Sequence, residues 1–258
     1  MENPAHELLR MEEAILKEEL DFYRNKMLVR GDLGKKEVLK SLQESPNLWL
    51  KRICNEYDMD CGDFGSRTIL RCHLSPVQLT YVHAVTKFLC TGSSLKPFST
   101  FAGKSAEMVF RNSINNLFNL FRIKKRIQIN SKNFLYGGDG GGDFFIGNQT
   151  FDVKYRNESP RHGLILENRF LDNAEDDVIL IQVTNSVNYK IAESVPDQEK
   201  SLPLALSGWT TIKDFKTKGK PINNGRDSLC LDDLNPIMDL LFLILEDQID
   251  SESLFEYP

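Results

Sequence analysis

The stretch Gly137-Gly-Asp-Gly-Gly-Gly-Asp-Phe-Phe-Ile-Gly-Asn-Gln-Thr-Phe-Asp-Val-Lys154 constrains the chain more than any other. A glycine cluster suggests phosphate cradling, but a P-loop ends in Gly-Lys-Ser or Gly-Lys-Thr, and a dinucleotide fingerprint lies between a strand and a helix. Neither condition holds. The residues after Gly142 are two short β-forming runs, Phe144-Phe-Ile146 and Gln149 to Lys154, split by Gly147-Asn148, which is a hairpin signal.

Two registers are open. A two-residue loop at Asn148-Gln149 sets Asp143 opposite Lys154, whereas a loop at Gly147-Asn148 sets it opposite Asp152. Side chains alternate along a strand and opposed residues share a face, so both registers bring Asp143, Asp152 and Lys154 together. An odd-length loop would break that convergence. Phe144, Ile146, Phe151 and Val153 then form an apolar underside for a helix to cover. Two carboxylates this close repel and raise each other's pKa unless a cation neutralises them. Hard oxygen ligands suit Mg²⁺, and a neighbouring lysine can orient an attacking water or stabilise phosphate charge. The competing reading is an ordinary Asp–Lys pair at an exposed strand end.

The flanking sequence places this hairpin in a mixed α/β chain. Residues 5 to 30 and 36 to 54 carry apolar positions at helical spacing. Ser75-Pro-Val-Gln78 matches a capping box with proline at the first helical position, opening a helix to Cys90. The first ninety residues are therefore expected to be mostly helical. Thr91-Gly-Ser-Ser-Leu-Lys-Pro97 reads as a linker, giving a helical region over 1–92 and a second domain over 93–258. A helix over Gly103 to Phe121 comes next. Strands are expected over 127–129, 143–146, 151–155, 163–166, 178–184 and 202–209, and a closing helix over 234–245.

No apolar run approaches the roughly 20 residues needed to span a bilayer, and the N-terminus lacks a signal-peptide pattern, so a cytoplasmic protein off the membrane is expected. Five cysteines without such a signal fit reduced thiols. Cys54, Cys61, Cys72 and His73 lack the paired Cys-x-x-Cys spacing of zinc sites. The formal charge of −5 argues against non-specific coating of nucleic acid but permits a local basic groove.

Gly138-Asp-Gly-Gly-Gly-Asp143 followed by Asp152-Val-Lys154 resembles the PD-(D/E)XK, or restriction-endonuclease-like, nuclease superfamily. The nearest pattern is that of microbial and phage members with a Gly-Asp-Gly-Gly-x-Asp box and a downstream Asp-Val-Lys. Glu107 in Gly103-Lys-Ser-Ala-Glu-Met-Val-Phe110 occupies the place of their helix glutamate, and Ser207-Gly-Trp209 matches a later Gly-Trp segment. The likeness covers about residues 100 to 245. It implies a mixed β-sheet core flanked by helices and a metal-dependent phosphodiesterase, most readily a DNA endonuclease. Asp143 and Asp152 would be the Mg²⁺ ligands, with Mn²⁺ able to substitute. Lys154 would orient water, Glu107 would be an outer ligand or a plain surface glutamate, and Gln182 would be a polar active-site residue or a strand residue facing solvent. Asp152 departs from the commoner glutamate and has a shorter reach.

The basic run Arg122, Lys124, Lys125, Arg126 and Lys132 reads either as a complement to the helix dipole or as phosphate contacts. Arg156 could likewise touch the scissile backbone. The alternative to an enzyme is a nucleic-acid-binding or regulatory module on the same fold without catalysis. A homodimer would suit double-strand cleavage, and a degenerate helix-turn-helix over 36–62 is a weaker option.

Overall fold

The computed structural model describes residues 4–24, 39–40, 43–44, 60–64, 67–121, 123, 127, 142–156, 163–185, 202 and 204–253. Three of the helices in the first half of the chain are described over their length. Helix α1 (Pro4–Arg24) buries Leu8 and Ile15. Helix α2 (Pro76–Cys90) starts as its sequence dictates, with the Ser75 hydroxyl accepting from the Gln78 amide at 3.3 Å and the Gln78 side chain accepting from the Ser75 amide at 3.1 Å.

Helix α3 (Pro97–Leu120) is the central one. Pro97, at the end of the expected linker, is instead its first residue, where a missing N–H costs nothing. Phe101, Ala102, Ala106, Met108, Val109, Phe110 and Ile114 on α3 are all wholly buried.

A six-stranded sheet packs on these helices. Its strands are β1 (Asp60–Phe64), β2 (Arg67–Cys72), β3 (Phe144–Ile146), β4 (Gln149–Arg156), β6 (Ile179–Asn185) and β7 (Leu204–Thr211), in the order β1-β2-β7-β6-β4-β3. Only the β4–β6 pair is parallel. A second, three-stranded sheet joins β5 (Leu164–Glu167), β8 (Lys220–Ile222) and β9 (Arg226–Leu229), with short helices α4 (Asn168–Asn173) and α5 (Ile212–Lys218) beside it. The chain continues into α6 (Ile237–Ser253).

The expectation of a mostly helical first ninety residues is corrected at 60–72. There β2 pairs with β7 through Leu70, Arg71 and Cys72, and Ile69, Leu70 and Cys72 are buried, so the ladder holds as a strand a run too short to signal one alone. The β1–β2 hairpin thus completes the same sheet that holds the acidic hairpin. One apolar core runs from Leu8 on α1 through α2 and α3 to Leu245 on α6, continuous across residues 91–97. The expected strand over 127–129 and nearly all of the 36–62 helical pattern lie outside the described residues.

Cys72 is a buried thiol whose Sγ lies 3.1 Å from the Ser113 hydroxyl, and burial pushes its pKa up to about 11. That environment disfavours the thiolate a zinc site needs. No helix among the described residues is long and apolar enough to cross a membrane.

Candidate active site

The hairpin adopts the second of the two registers. Phe144 pairs with Phe151, Phe145 with Thr150 and Ile146 with Gln149, which leaves Gly147-Asn148 as the loop and sets Asp143 across from Asp152. Gly147 at φ +60° supplies the positive φ that a tight hairpin turn requires at its first central position.

Gly142 explains part of the glycine box. It has φ +69°, and a Cβ there would lie 2.3 Å from the Thr150 methyl and 3.1 Å from the Phe151 carbonyl oxygen. Any larger residue would push this segment away from β4. The close approach lets the Asp143 amide donate to the Phe151 carbonyl at 2.7 Å, while the Asp143 carboxylate accepts from the Val153 amide at 2.7 Å. The side chain thereby takes the place of the strand partner that β3 is too short to provide.

The apolar underside is covered as its pattern requires. Phe110 of α3 lies 5.6 Å from the Phe144 ring and 5.7 Å from the Phe151 ring, centroid to centroid. Such pairs add about 0.5–1.5 kcal/mol each beyond their burial. The same helix brings Glu107 to the site.

Burial is the main force holding the Asp143 carboxyl well above the usual carboxylate range. The charges of Glu107 and Asp152 add to it, a hydrogen bond with the Asp152 carboxyl adds further, and the Val153 amide opposes. Glu107 is also raised, by burial first, with Lys104 opposing and Asp152 adding. Three carboxylates therefore share one partly dry place.

Two lysines answer them. Lys104 donates to both Glu107 carboxylate oxygens at 2.9 Å, one turn back on α3. Lys154 lies 2.7 Å from Asp152 Oδ2, and its ammonium sits 4.5 Å above the Phe170 ring of α4. Gln182 pairs with Lys154 across the parallel β4–β6 ladder and so shares its face. The solvent-facing option for Gln182 is corrected: it is wholly buried, and neither its amide nitrogen nor its oxygen has a hydrogen-bond partner. Leaving such a group unsatisfied costs about 1–3 kcal/mol per atom, so something must be gained when it is met. Arg156, half-buried, follows Lys154 by two residues on that same face.

Five of the residues singled out in the sequence, Glu107, Asp143, Asp152, Lys154 and Gln182, thus fall in one region. Lys124, Lys125 and Arg126, together with Asp139 of the glycine box, lie outside the described residues. Trp209 is a sheet aromatic: its indole N–H donates to the Pro236 carbonyl at 3.0 Å, and its backbone bridges to Asn235.

Lys104 and Phe170 were missed by the sequence reading. Lys104 had a signal, since Lys and Glu three apart on a helix face each other. Phe170, in Glu167-Asn-Arg-Phe-Leu171, had none.

The residues fit a hard divalent cation, on the chemistry of their donors. Asp143 and Asp152 offer carboxylate oxygens whose mutual repulsion a cation would relieve. Among the described residues no three His, Cys, Asp or Glu side chains form a ready ligand group, and Glu107 has both oxygens on Lys104. A pair of carboxylates is nonetheless what Mg²⁺ commonly uses, keeping several waters and taking further oxygens from a phosphate. No family model, curated protein or solved structure matches this chain.

Proposed function

We propose that the protein is a metal-dependent phosphodiesterase acting on nucleic acid, most readily a DNA endonuclease of the restriction-endonuclease-like kind. The observation that carries this reading is the excess of buried carboxylate where Asp143 meets Asp152, set beside Lys154 and an unsatisfied Gln182. A bound Mg²⁺ or Mn²⁺ supplies neutralising charge at the scissile phosphate and lowers the pKa of a bound water.

The chain's own residues do the rest. Asp143 and Asp152 would hold the cation and fix its distance from β4. Lys154, which lies 2.7 Å from Asp152 Oδ2, would direct its Nζ protons at the attacking water or at a phosphate oxygen. The Phe170 ring beneath the ammonium keeps that side chain from swinging into solvent. Gln182 would pair with a water admitted beside Lys154, which would meet its open atoms. Glu107, tethered by Lys104, adds negative potential that favours cation entry. Arg156 would meet the phosphate backbone beyond the scissile bond.

The test is incubation of purified protein with labelled plasmid, linear duplex and single strands in Mg²⁺, Mn²⁺ or EDTA. Cleavage in either metal and none in EDTA is expected. Intact substrates under every condition, with metal-dependent binding preserved, would favour the alternative, a non-catalytic nucleic-acid-binding module on this fold.

A further inference from the structure

Phe145 is the most exposed large apolar side chain among the described residues, at 61%. It lies in the middle of β3, an edge strand, with buried Phe144 and Ile146 on either side. Its register opposite Thr150 puts it on the face of the sheet that carries Asp152 and Lys154, not on the underside packed against α3. Thr150 and Asp152 are two residues apart, about 7 Å along the strand. The ring therefore stands next to the acidic pair, on the side away from Phe170.

A phosphate reaching Asp143 and Asp152 meets three carboxylates against Lys104 and Lys154, on a chain of net charge −5. At the acidic pair itself, charge opposes a phosphate until a cation is in place, whatever Arg156 contributes farther along β4. An aromatic face supplies attraction that charge does not oppose, because every nucleobase has a face on which a ring can stack. In a duplex those faces are already covered by neighbouring base pairs.

We infer that Phe145 is a stacking platform for an unpaired base next to the scissile phosphate, so that the preferred substrate is single-stranded at the cleavage point, as in a single strand, flap or frayed end. This inference rests on the nuclease reading and deepens it by naming the substrate class.

The experiment measures binding in EDTA, where nothing is cut, by fluorescence anisotropy of one oligonucleotide as a single strand and as a blunt duplex. Wild type, Phe145→Ala and Phe145→Trp are compared, their folding checked by circular dichroism. The single strand should bind wild type more tightly than the duplex. Phe145→Ala should weaken single-strand binding about tenfold or more and leave duplex binding unchanged. Phe145→Trp should keep the affinity, with its indole emission quenched by the bound base.

Equal affinities of Phe145→Ala and wild type for the single strand would overturn the inference, and so would a wild-type preference for duplex. Light scattering that shows a wild-type dimer and a Phe145→Ala monomer would also overturn it, assigning the ring to a second copy of the chain. The two readings fail separately. Absent cleavage with Phe145-dependent single-strand binding removes only the catalytic reading, while metal-dependent cleavage indifferent to Phe145 removes only the platform.

Discussion

Helix α3 carries two buried polar clusters one turn apart, and they are built on opposite principles. Around Arg111, the charges are paired, although its Nε is buried without a hydrogen-bond partner: the guanidinium donates to both oxygens of Glu19 on α1 at 2.5 and 2.9 Å, the Tyr81 hydroxyl donates to Glu12 at 2.7 Å, and Gln78 exchanges hydrogen bonds with Asn112. Around Glu107, the account is left open. Asp143 and Asp152 face each other, Glu107 adds a third carboxylate, and Gln182 is buried without a partner. A satisfied network specifies how helices dock, since removing one member leaves an uncompensated buried charge. An unsatisfied one stores repulsion that a bound proton or cation relieves. Side by side on one helix, the two clusters separate what holds the fold from what the proposed function would use.

Activity gives the largest contrast. Asp152→Asn and Lys154→Ala should each lower metal-dependent cleavage about 10⁴-fold, the upper range for loss of a positioned acid–base or electrostatic group. Arg111→Met should leave the rate per folded molecule within a few-fold. Single-turnover cleavage with folded protein quantified separately checks this. A comparable loss in all three variants would erase the distinction between the clusters.

Stability reverses the order. Arg111→Ala leaves Glu19 unpaired against a buried helix face and should cost about 3–5 kcal/mol in urea unfolding. Asp152→Asn should change stability little, because it removes a crowded carboxylate, and Lys154→Ala should cost less than Arg111→Ala, because the Lys154 side chain is 32% exposed. A collapse of the melting temperature in the latter pair would mark Asp152–Lys154 as a structural ion pair.

Much of this contrast was legible in the sequence, but unevenly. The capping box at Ser75, the apolar underside of the acidic hairpin and the grouping of Asp143, Asp152 and Lys154 all follow from local periodicity, which a strand or helix enforces by itself. The register needed the structure, because Gly147-Asn148 and Asn148-Gln149 both satisfy the turn chemistry and differ only in which loop lets Gly142 pack on Thr150. The β1–β2 hairpin was hidden because its stability comes from β7, more than 130 residues away. The Arg111 network joins α1, α2 and α3, and no short window contains it. Gln182 was open between an active-site residue and a strand residue facing solvent, and its burial without a partner rules out the second.

Metal binding sharpens the comparison next. Ligand that binds only the folded state stabilises it by about 2.7 kcal/mol at a free concentration one hundred times its dissociation constant. Mn²⁺ should raise the melting temperature of wild type and of Arg111→Met by equal amounts, and that of Asp143→Asn much less. Mn²⁺ rather than Mg²⁺ is the stricter probe, since Mg²⁺ gives up its waters reluctantly. Wild-type Mn²⁺ affinity in Asp143→Asn, measured by calorimetry, would transfer the ligand role to Asp139.

The smallest expected effect is the most specific. The Asp143 carboxyl is held well above its ordinary value by burial and by the charges of Glu107 and Asp152. A carboxyl whose folded pKa is raised adds stability below its unfolded value, near 3.9, and that contribution is lost as pH rises through the folded value. In EDTA, Asp143→Asn should therefore match wild type near pH 4 and be more stable at pH 8, with the gain opening between those limits. The asparagine keeps an oxygen to accept the Val153 amide, so the hairpin contact survives the substitution. Arg111→Met should show no gain that opens over the same window, because no raised acid is removed with it. Urea midpoints across pH, with and without saturating Mn²⁺, read the difference directly: the cation should favour ionised Asp143 and cancel the advantage of the variant. A gain for Asp143→Asn that is the same at pH 4 and pH 8 would mean that shape, not stored charge, sets the stability of this site.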